Sequence, residues 1–372
     1  MIYVHIPFCH HKCSYCAFFS VAGRREMDAY VEALCAEMRR RRAPERSVRT
    51  VYFGGGTPSR LGIALLQRLV EQLRALYDFS QLQEATIEAN PEDLTTDFLR
   101  GLRSLNFFNR ISIGIQSFAD ADLRAINRVH NGGQALEALQ NAHEAGFTNV
   151  SIDLMMGLPG QSIDTWRRNL DCTGALLRGG LLTHLSCYEL SIEPGTILER
   201  QLRQGRVELP DEETVAAEYE LLMRWCHDVG MEQYEVSNFA LPGLRSVHNS
   251  RYWRRVPYLG LGAGAHSFDG SHRRWNLADI AAYVAAAGDA PHEQETLSRE
   301  DAFNEFVMTA LRTTAGIDKS ELSALFPWAA SHISATIAPH IAHGLIVETD
   351  EAYVPSSSGL LQADAIAASL FL

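Results

Sequence analysis

The chain has 372 residues, 46% of them hydrophobic and 21% charged, the balance of a globular protein with a sizeable core. Its 33 Lys and Arg against 45 Asp and Glu leave a net charge of -12, which argues against general nucleic-acid affinity but leaves room for an acidic small molecule in a local basic pocket. No apolar run reaches the roughly 18 residues of a membrane span, and the chain opens on a strand and a cysteine loop rather than a signal or transit peptide, so the expected location is cytoplasmic.

Ile2–Ile6 reads as a strand and runs into Cys9-His10-His11-Lys12-Cys13-Ser14-Tyr15-Cys16, a C-x3-C-x2-C spacing. Three thiolates this close reach one metal site only if the backbone loops around it. An iron–sulfur cubane takes four ligands, so three cysteines leave one iron open for a substrate. The competing reading is structural zinc with His5, His10 or His11 as fourth ligand, but no second knuckle follows at finger spacing. Seven cysteines without a signal sequence suit a reducing compartment and speak against disulfides.

Strand-like runs follow at Val51–Phe53, Ala85–Glu88, Ile111–Gln116, Val150–Met155 and His184–Leu190, most trailed by a helical pattern. Tyr30, Val31, Leu34, Cys35 and Met38 mark one face of the first helix, which Arg39–Arg42 close as cations on a solvated C-terminal turn. Leu61–Tyr77 and Ala135–Ala145 read as further amphipathic helices. Strands alternating with helices predict a parallel sheet, open or barrel-like, with the ligand site at the C-terminal strand ends. The cysteine loop, Gly54-Gly55-Gly56-Thr57-Pro58, Glu88-Ala89-Asn90-Pro91, Gln116, Asp153 and Gly157-Leu158-Pro159-Gly160 all fall at those ends.

From about Glu193 the alternation stops. Gln201–Gly230 reads as mostly helical with a break at Pro210, and Gln233–Ala240 as a strand entering a loop. His248-Asn249-Ser250-Arg251-Tyr252-Trp253 and the small-residue run Gly260–Ser267 follow. The stretch around Pro291–Arg299 looks like a boundary, and Asp301–Leu372 holds helices and a hairpin signal at Leu345–Val354, a winged-helix-like outline. The expected domains are 1–195, 196–292 and 293–372.

A cubane with an open iron takes the amino and carboxylate groups of S-adenosylmethionine, and the rim carries groups suited to hold that molecule. Gly54–Gly56 offers bare backbone for close approach, Glu88, Asp153 and Gln116 accept from amine or ribose hydroxyls, and Arg128 pairs a carboxylate. Singly, each is as well explained by a rim salt bridge or a cap.

The cysteine motif resembles that of radical SAM proteins. Tyr3-x-His5-Ile6-Pro7-Phe8-Cys9, Gly54–Ser59, Glu88–Pro91, Ser112–Phe118 and Asp153–Gln161 are similar, in order, to the branch related to coproporphyrinogen oxidase. The resemblance implies an α/β fold, a partial (β/α)6 TIM-like barrel with a small C-terminal helical domain. Within the branch, the oxygen-independent coproporphyrinogen III oxidases carry a further cysteine two residues after the third and an N-terminal extension. This chain has Phe18 at that position and only two residues before Tyr3, and its hexapeptide His248–Trp253 is similar to the H-N-x-x-Y-W motif of the haem chaperone group.

By matching position, the resemblance implies that Cys9, Cys13 and Cys16 ligate a 4Fe-4S cluster. Tyr3, Gly55, Glu88 and His266 would contact the cluster-bound S-adenosylmethionine, and Tyr15, Gly56, Thr57, Gln116, Arg128 and Asp153 the second such molecule that relatives bind. His248 would be the haem ligand, an imidazole beside aromatic rings. The implied function is haem delivery to respiratory haemoproteins, membrane-associated acceptors included, with an electron donor such as flavodoxin and no nucleic acid. The alternative is the oxidase activity itself, radical decarboxylation of coproporphyrinogen III to protoporphyrinogen IX.

Overall fold

Apolar and polar residues alternate along the strands, and this alternation decides how the sheet is placed. In the computed structural model, which describes residues 1–23, 25–42 and 47–372, six parallel strands lie side by side in chain order. They are β1 (Ile2–Ile6), β2 (Thr50–Gly55), β3 (Glu84–Ala89), β4 (Arg110–Gln116), β5 (Val150–Met156) and β6 (His184–Glu189). The main crossover helices are α1 (Met27–Arg40), α2 (Gly62–Leu76), α3 (Thr96–Ser104), α4 (Gly132–Glu144), which the short helix Asp120–Ala125 precedes, and α5 (Ile163–Arg178). The sheet does not close on itself. The antiparallel β7 (Asn238–Ala240) extends it beyond β6, and β8 (Leu259–Leu261) lies parallel to β1 at the other edge.

Ile2, Val4 and Ile6 of β1, Ile111, Ile113 and Ile115 of β4, and Val150, Ile152 and Leu154 of β5 are fully buried in the main core, with Tyr30, Val31, Leu34 and Met38 of α1. The intervening residues are Tyr3 and His5, Thr50 and Tyr52, Glu84 and Glu88, Arg110 and Ser112, Ser151 and Asp153, and His184 and Ser186. Parallel strands covered on both faces normally read as unbroken apolar runs. Here the second face lines a polar lumen, and the alternation is its signature.

The strand ends are held by short-range chemistry. Thr95, Asn131 and Ser162 cap α3, α4 and α5, each accepting from a backbone N–H three residues on. The long helical stretch is two helices, Ile197–Arg203 and α6 (Glu212–Val229), separated by residues around Pro210; Asp211 caps α6 and Gly230 ends it at φ 74°. The region around Pro291–Arg299 carries a strand, His292–Thr296, which joins His266–Phe268 and His272–Asn276 in a small antiparallel sheet.

In the arginine run closing α1, Arg39, Arg40 and Arg42 are exposed as expected, and Arg41 departs from that face. Arg41 is nearly buried and bonds Glu37 at 2.7 Å, the Gly260 carbonyl at 2.9 Å and the Ser267 hydroxyl at 2.9 Å. The buried carboxylate of Glu37, one turn earlier, draws the cation inward, and its other partners, Gly260 and Ser267, come from more than 200 residues away and are invisible to a helical pattern.

After α7 (Val247–Trp253), the C-terminal part begins with α8 (Arg299–Leu311) and includes a three-stranded sheet holding the hairpin Ile346–Glu348 and Ala352–Pro355. Phe303, Phe306, Val307, Phe326, Ile333 and Ile346 form a second core of its own.

Candidate cofactor site at the barrel rim

The cysteine loop is shaped by backbone bonds before any metal is considered. Phe8–Cys9 pairs with Val21–Ala22 in a two-residue parallel ladder, which closes the loop at its base. Within it, Ser14 N–H donates to the Ile126 carbonyl at 3.1 Å, Leu198 N–H to Ser14 at 2.8 Å, and Asn127 to the Lys12 carbonyl at 3.2 Å. Cys9, Cys13 and Cys16 are free and half-buried on this frame. Among the described residues no three His, Cys, Asp or Glu side chains are already gathered as a metal cage, so the fit to a cluster is judged on the loop's chemistry.

That chemistry favours an anionic, thiolate-bound group. Arg128 Nη1 lies 3.3 Å from Cys13 Sγ, and Thr57 Oγ1 donates to Cys9 Sγ at 3.5 Å. Burial pushes the Cys9 and Cys16 thiols up, so a bound metal ion must supply the charge that deprotonates them. Arg128 Nε is buried without a partner, a donor left over beside the thiols.

Three threads of contact radiate from this loop. In the first, Arg128 Nη2 donates to Asn90 Oδ1 at 2.9 Å and to the Gly114 carbonyl, while Asn90 Nδ2 donates to Thr57 Oγ1 at 3.1 Å. Cys9, Cys13, Thr57, Asn90 and Arg128 therefore form one connected group. In the second, Tyr52 donates to Glu88 Oε1 at 2.7 Å and Gly55 N–H to Glu88 Oε2 at 3.1 Å; the Tyr3 ring stacks on Tyr52 and its hydroxyl meets His5 Nδ1 at 3.0 Å. In the third, Asp153 faces Ser112, 3.5 Å away, and Ser186.

The glycines allow this closeness. Gly55 sits at φ 111°, and a Cβ there would stand 2.5 Å from the His5 ring; one on Gly56 would stand 2.9 Å from the Phe8 backbone nitrogen. Gln116 closes β4 at φ 70° beside a bulge in the β4–β5 ladder, which turns its side chain toward Gly114. Tyr15 packs with Ile126, Met155 and Leu198 within electrostatic range of Cys13 and Arg128, and burial pushes its phenol well up. His266 stands apart from these threads. Its ring is exposed and stacks on Trp275 in the small sheet, with His5 as an electrostatic neighbour.

Burial raises the Glu88 carboxyl to about 7 against the bonds from Tyr52 and Gly55, and Asp153 to about 6. Arg110, 1% exposed and with its Nε unpartnered, acts from the same lumen and favours the ionised form of both. Paired carboxyls poised near neutrality in a polar cavity are the usual mark of a functional site.

His248 lies at the opposite end of the barrel, against the first residues of the strands. It is 6% exposed, its Nδ1 meets Thr50 Oγ1 at 3.0 Å, and its ring packs 5.2 Å from that of Tyr52. Burial depresses it to about 3. The backbone N–H groups of Val247 and His248 and the Ser246 hydroxyl all donate to buried Glu84, at 2.7, 3.1 and 3.2 Å. The hexapeptide helix is thus pinned to the barrel floor by a carboxylate 162 to 164 residues earlier in the chain. Arg110, Tyr52, Glu84 and the floor pair His184–Tyr234, 2.7 Å apart, were not singled out from sequence; the period-two alternation in β2, β3, β4 and β6 is the signal that contained all of them but Tyr234.

Residues 3–172 match the radical SAM superfamily and residues 297–361 the HemN C-terminal domain. The chain is 34% identical over 367 residues to the heme chaperone HemW of Bacillus subtilis, with 96% of each chain covered. It is 34% identical over 378 residues to the heme chaperone HemW of Mycobacterium tuberculosis, covering 99% of this chain and 94% of that one. The chain belongs to the HemW family. The solved coproporphyrinogen III oxidase HemN of Escherichia coli, titled a radical SAM enzyme, superposes with a TM-score of 0.84 over 100% of this chain and 89% of that chain, at 25% identity. HemW and HemN thus share the barrel and the C-terminal part. No helix of this HemW family member, among the described residues, is long and apolar enough to cross a membrane.

One expectation follows for the loop itself. Replacing Cys9, Cys13 or Cys16 by Ala in turn should cut bound iron and sulfide after anaerobic reconstitution by about tenfold or more, the usual loss for a removed ligand. A variant that keeps the wild-type iron content and visible absorption takes that cysteine out of the ligand set.

Proposed function

We propose that this protein is a haem chaperone built on a radical SAM core, taking up haem and passing it to haemoprotein acceptors in the cytoplasm or at the membrane. The observation that supports this best is membership of the HemW family along nearly the whole chain, with the H-N-x-x-Y-W hexapeptide present at His248–Trp253.

In this reading Cys9, Cys13 and Cys16 would hold a 4Fe-4S cluster with one iron left for a further ligand. Tyr3, Gly55, Glu88 and His266 contact one S-adenosylmethionine, and Tyr15, Gly56, Thr57, Gln116, Arg128 and Asp153 border the place of a second. When bound, the cluster and S-adenosylmethionine together supply one-electron cleavage of a carbon–sulfur bond, fed by a donor such as flavodoxin. The chain's part is to position and to exclude water. Glu88, ionised, accepts from an ammonium group while Tyr52 and Gly55 each donate to one of its oxygens and fix its orientation. Arg128 balances thiolate charge, and bare backbone at Gly54–Gly56 lets a ligand approach. His248 would be the haem ligand, through Nε2, since its Nδ1 is engaged by Thr50.

Titration of the reconstituted protein with haem should give a shifted Soret band and haem that survives gel filtration. His248→Ala should then lose the spectrum of a nitrogen-ligated iron. Failure of the wild type to retain haem overturns the chaperone reading. The second reading, coproporphyrinogen III oxidase, is favoured by the HemN likeness. Vinyl product at catalytic turnover from coproporphyrinogen III, S-adenosylmethionine and reductant would establish it.

A further inference from the structure

Between β4 and α4 the chain detours through Ser117–Asn131, and three consecutive residues of that detour meet three consecutive residues of the cysteine loop. The Ile126 carbonyl accepts from Ser14 N–H at 3.1 Å, Asn127 Nδ2 donates to the Lys12 carbonyl at 3.2 Å, and Arg128 Nη1 lies 3.3 Å from Cys13 Sγ. Asn127 stands at φ 59°, in the left-handed region that asparagine tolerates, and the turn there lets its neighbours on both sides face the same loop. From the other side Leu198 N–H donates to the Ser14 carbonyl at 2.8 Å, so the backbone of Ser14 is gripped at both of its polar groups.

The detour is held from behind by a buried polar knot. Asp122, 3% exposed, accepts from Ser117 Oγ at 2.7 Å and from Gln161 Nε2 at 3.0 Å. Asn169 of α5, also buried, accepts from Phe118 N–H at 2.9 Å and donates to Ser117 Oγ at 3.0 Å. Toward α4, His130 Nε2 donates to the Ile115 carbonyl at 3.1 Å, and Gly132 N–H to Asp120 Oδ1 at 2.9 Å. The strand β4, the loop after β5 and the helix α5 thus converge on one short segment. A buried network with its bonds made is rigid, and this one ends on the residues that touch the cysteine loop.

We propose that Asp122 and Asn127 are positioning residues for the cluster. Asp122 locks the detour and Asn127 joins it to the loop, so that the Lys12–Ser14 backbone, and Cys13 with it, keeps one conformation. The proposal rests on the reading of Cys9, Cys13 and Cys16 as cluster ligands, and adds the parts that hold the loop. Contacts of this kind, one step out from the ligands, typically carry about tenfold to 100-fold in metal affinity.

The test compares full-length wild type with Asn127→Gly and Asp122→Ala after anaerobic reconstitution. Asn127→Gly keeps the left-handed turn and removes the bond to Lys12; Asp122→Ala leaves the Ser117 hydroxyl and the Gln161 amide without this acceptor. Iron loss to a chelator should quicken about threefold or more in Asn127→Gly and about tenfold or more in Asp122→Ala. The EPR signal of the reduced cluster should broaden or shift in both, and the melting temperature of the apo protein reports folding. Wild-type loss rate and EPR signal in Asn127→Gly overturn the proposal, even where Asp122→Ala fails to fold. A lower melting temperature with unchanged loss rate and signal overturns it as well, because that is the mark of a merely structural role. A wild type that takes up no iron and sulfide overturns the cluster reading on which the proposal depends.

Discussion

Glu37→Ala is expected to destabilise the protein by about 3–5 kcal/mol, the usual consequence of removing one partner of a buried ionic network. The Glu37 carboxylate is fully buried in α1 and receives Arg41 at 2.7 Å, Asn276 Nδ2 at 2.7 Å, the Tyr283 hydroxyl at 2.6 Å and Gly262 N–H at 2.8 Å. These groups come from α1, from the turn after β8, from the small sheet and from the helix Ile280–Ala285. Truncation leaves the nearly buried Arg41 guanidinium without its counter-charge and the Tyr283 hydroxyl and Gly262 N–H without this acceptor, and each unmade bond costs about 1–3 kcal/mol of desolvation before relaxation. Chemical denaturation of the apo protein would show this as a lower midpoint. A midpoint within experimental error of wild type would mean that water replaces the carboxylate at no cost, against the burial described.

The second large effect is expected at Glu88, with opposite signs for stability and for binding. The folded apo protein keeps Glu88 protonated up to about pH 7, whereas the unfolded chain releases that proton near 4.5. A carboxyl raised on folding stabilises below its unfolded value, and that contribution is lost as pH rises through the folded value. Asp153 acts in the same direction, raised to about 6. Glu88→Gln should therefore raise the melting temperature of the apo protein at about pH 8 and leave it nearly unchanged at about pH 4. In the reconstituted protein the same variant should weaken S-adenosylmethionine about tenfold or more, since a charge-assisted bond to an ammonium becomes a neutral one. Calorimetric titration at both pH values reads the binding, and differential scanning reads the stability. Unchanged affinity at about pH 8 would remove Glu88 from the S-adenosylmethionine contacts.

The sequence by itself determined the elements that depend on near neighbours. The cysteine spacing, the glycine run after the second strand and the strand–helix alternation are written within a few residues of where they act; the six strands appear with bounds shifted by at most two residues, and the helix expected at Ala135–Ala145 begins three residues earlier, at Gly132. The hairpin near the C-terminus was legible for the same reason. The family followed from motifs in fixed order. What only the tertiary structure decided was convergence. Arg128 reaches Cys13 across 115 residues, and Glu84 caps α7 across 163. Arg41 leaves the solvated face expected of it because Gly260 and Ser267 meet it from more than 200 residues away. The fourth-position question at the cysteine loop and the burial of His248 both turn on which side chains share a lumen. A period-two pattern says that a strand has a polar face, but not which other polar faces it will meet. Register between non-adjacent strands settles that, because one residue of slip would send Glu88, Asp153 and Arg110 out among the helices instead of into the barrel.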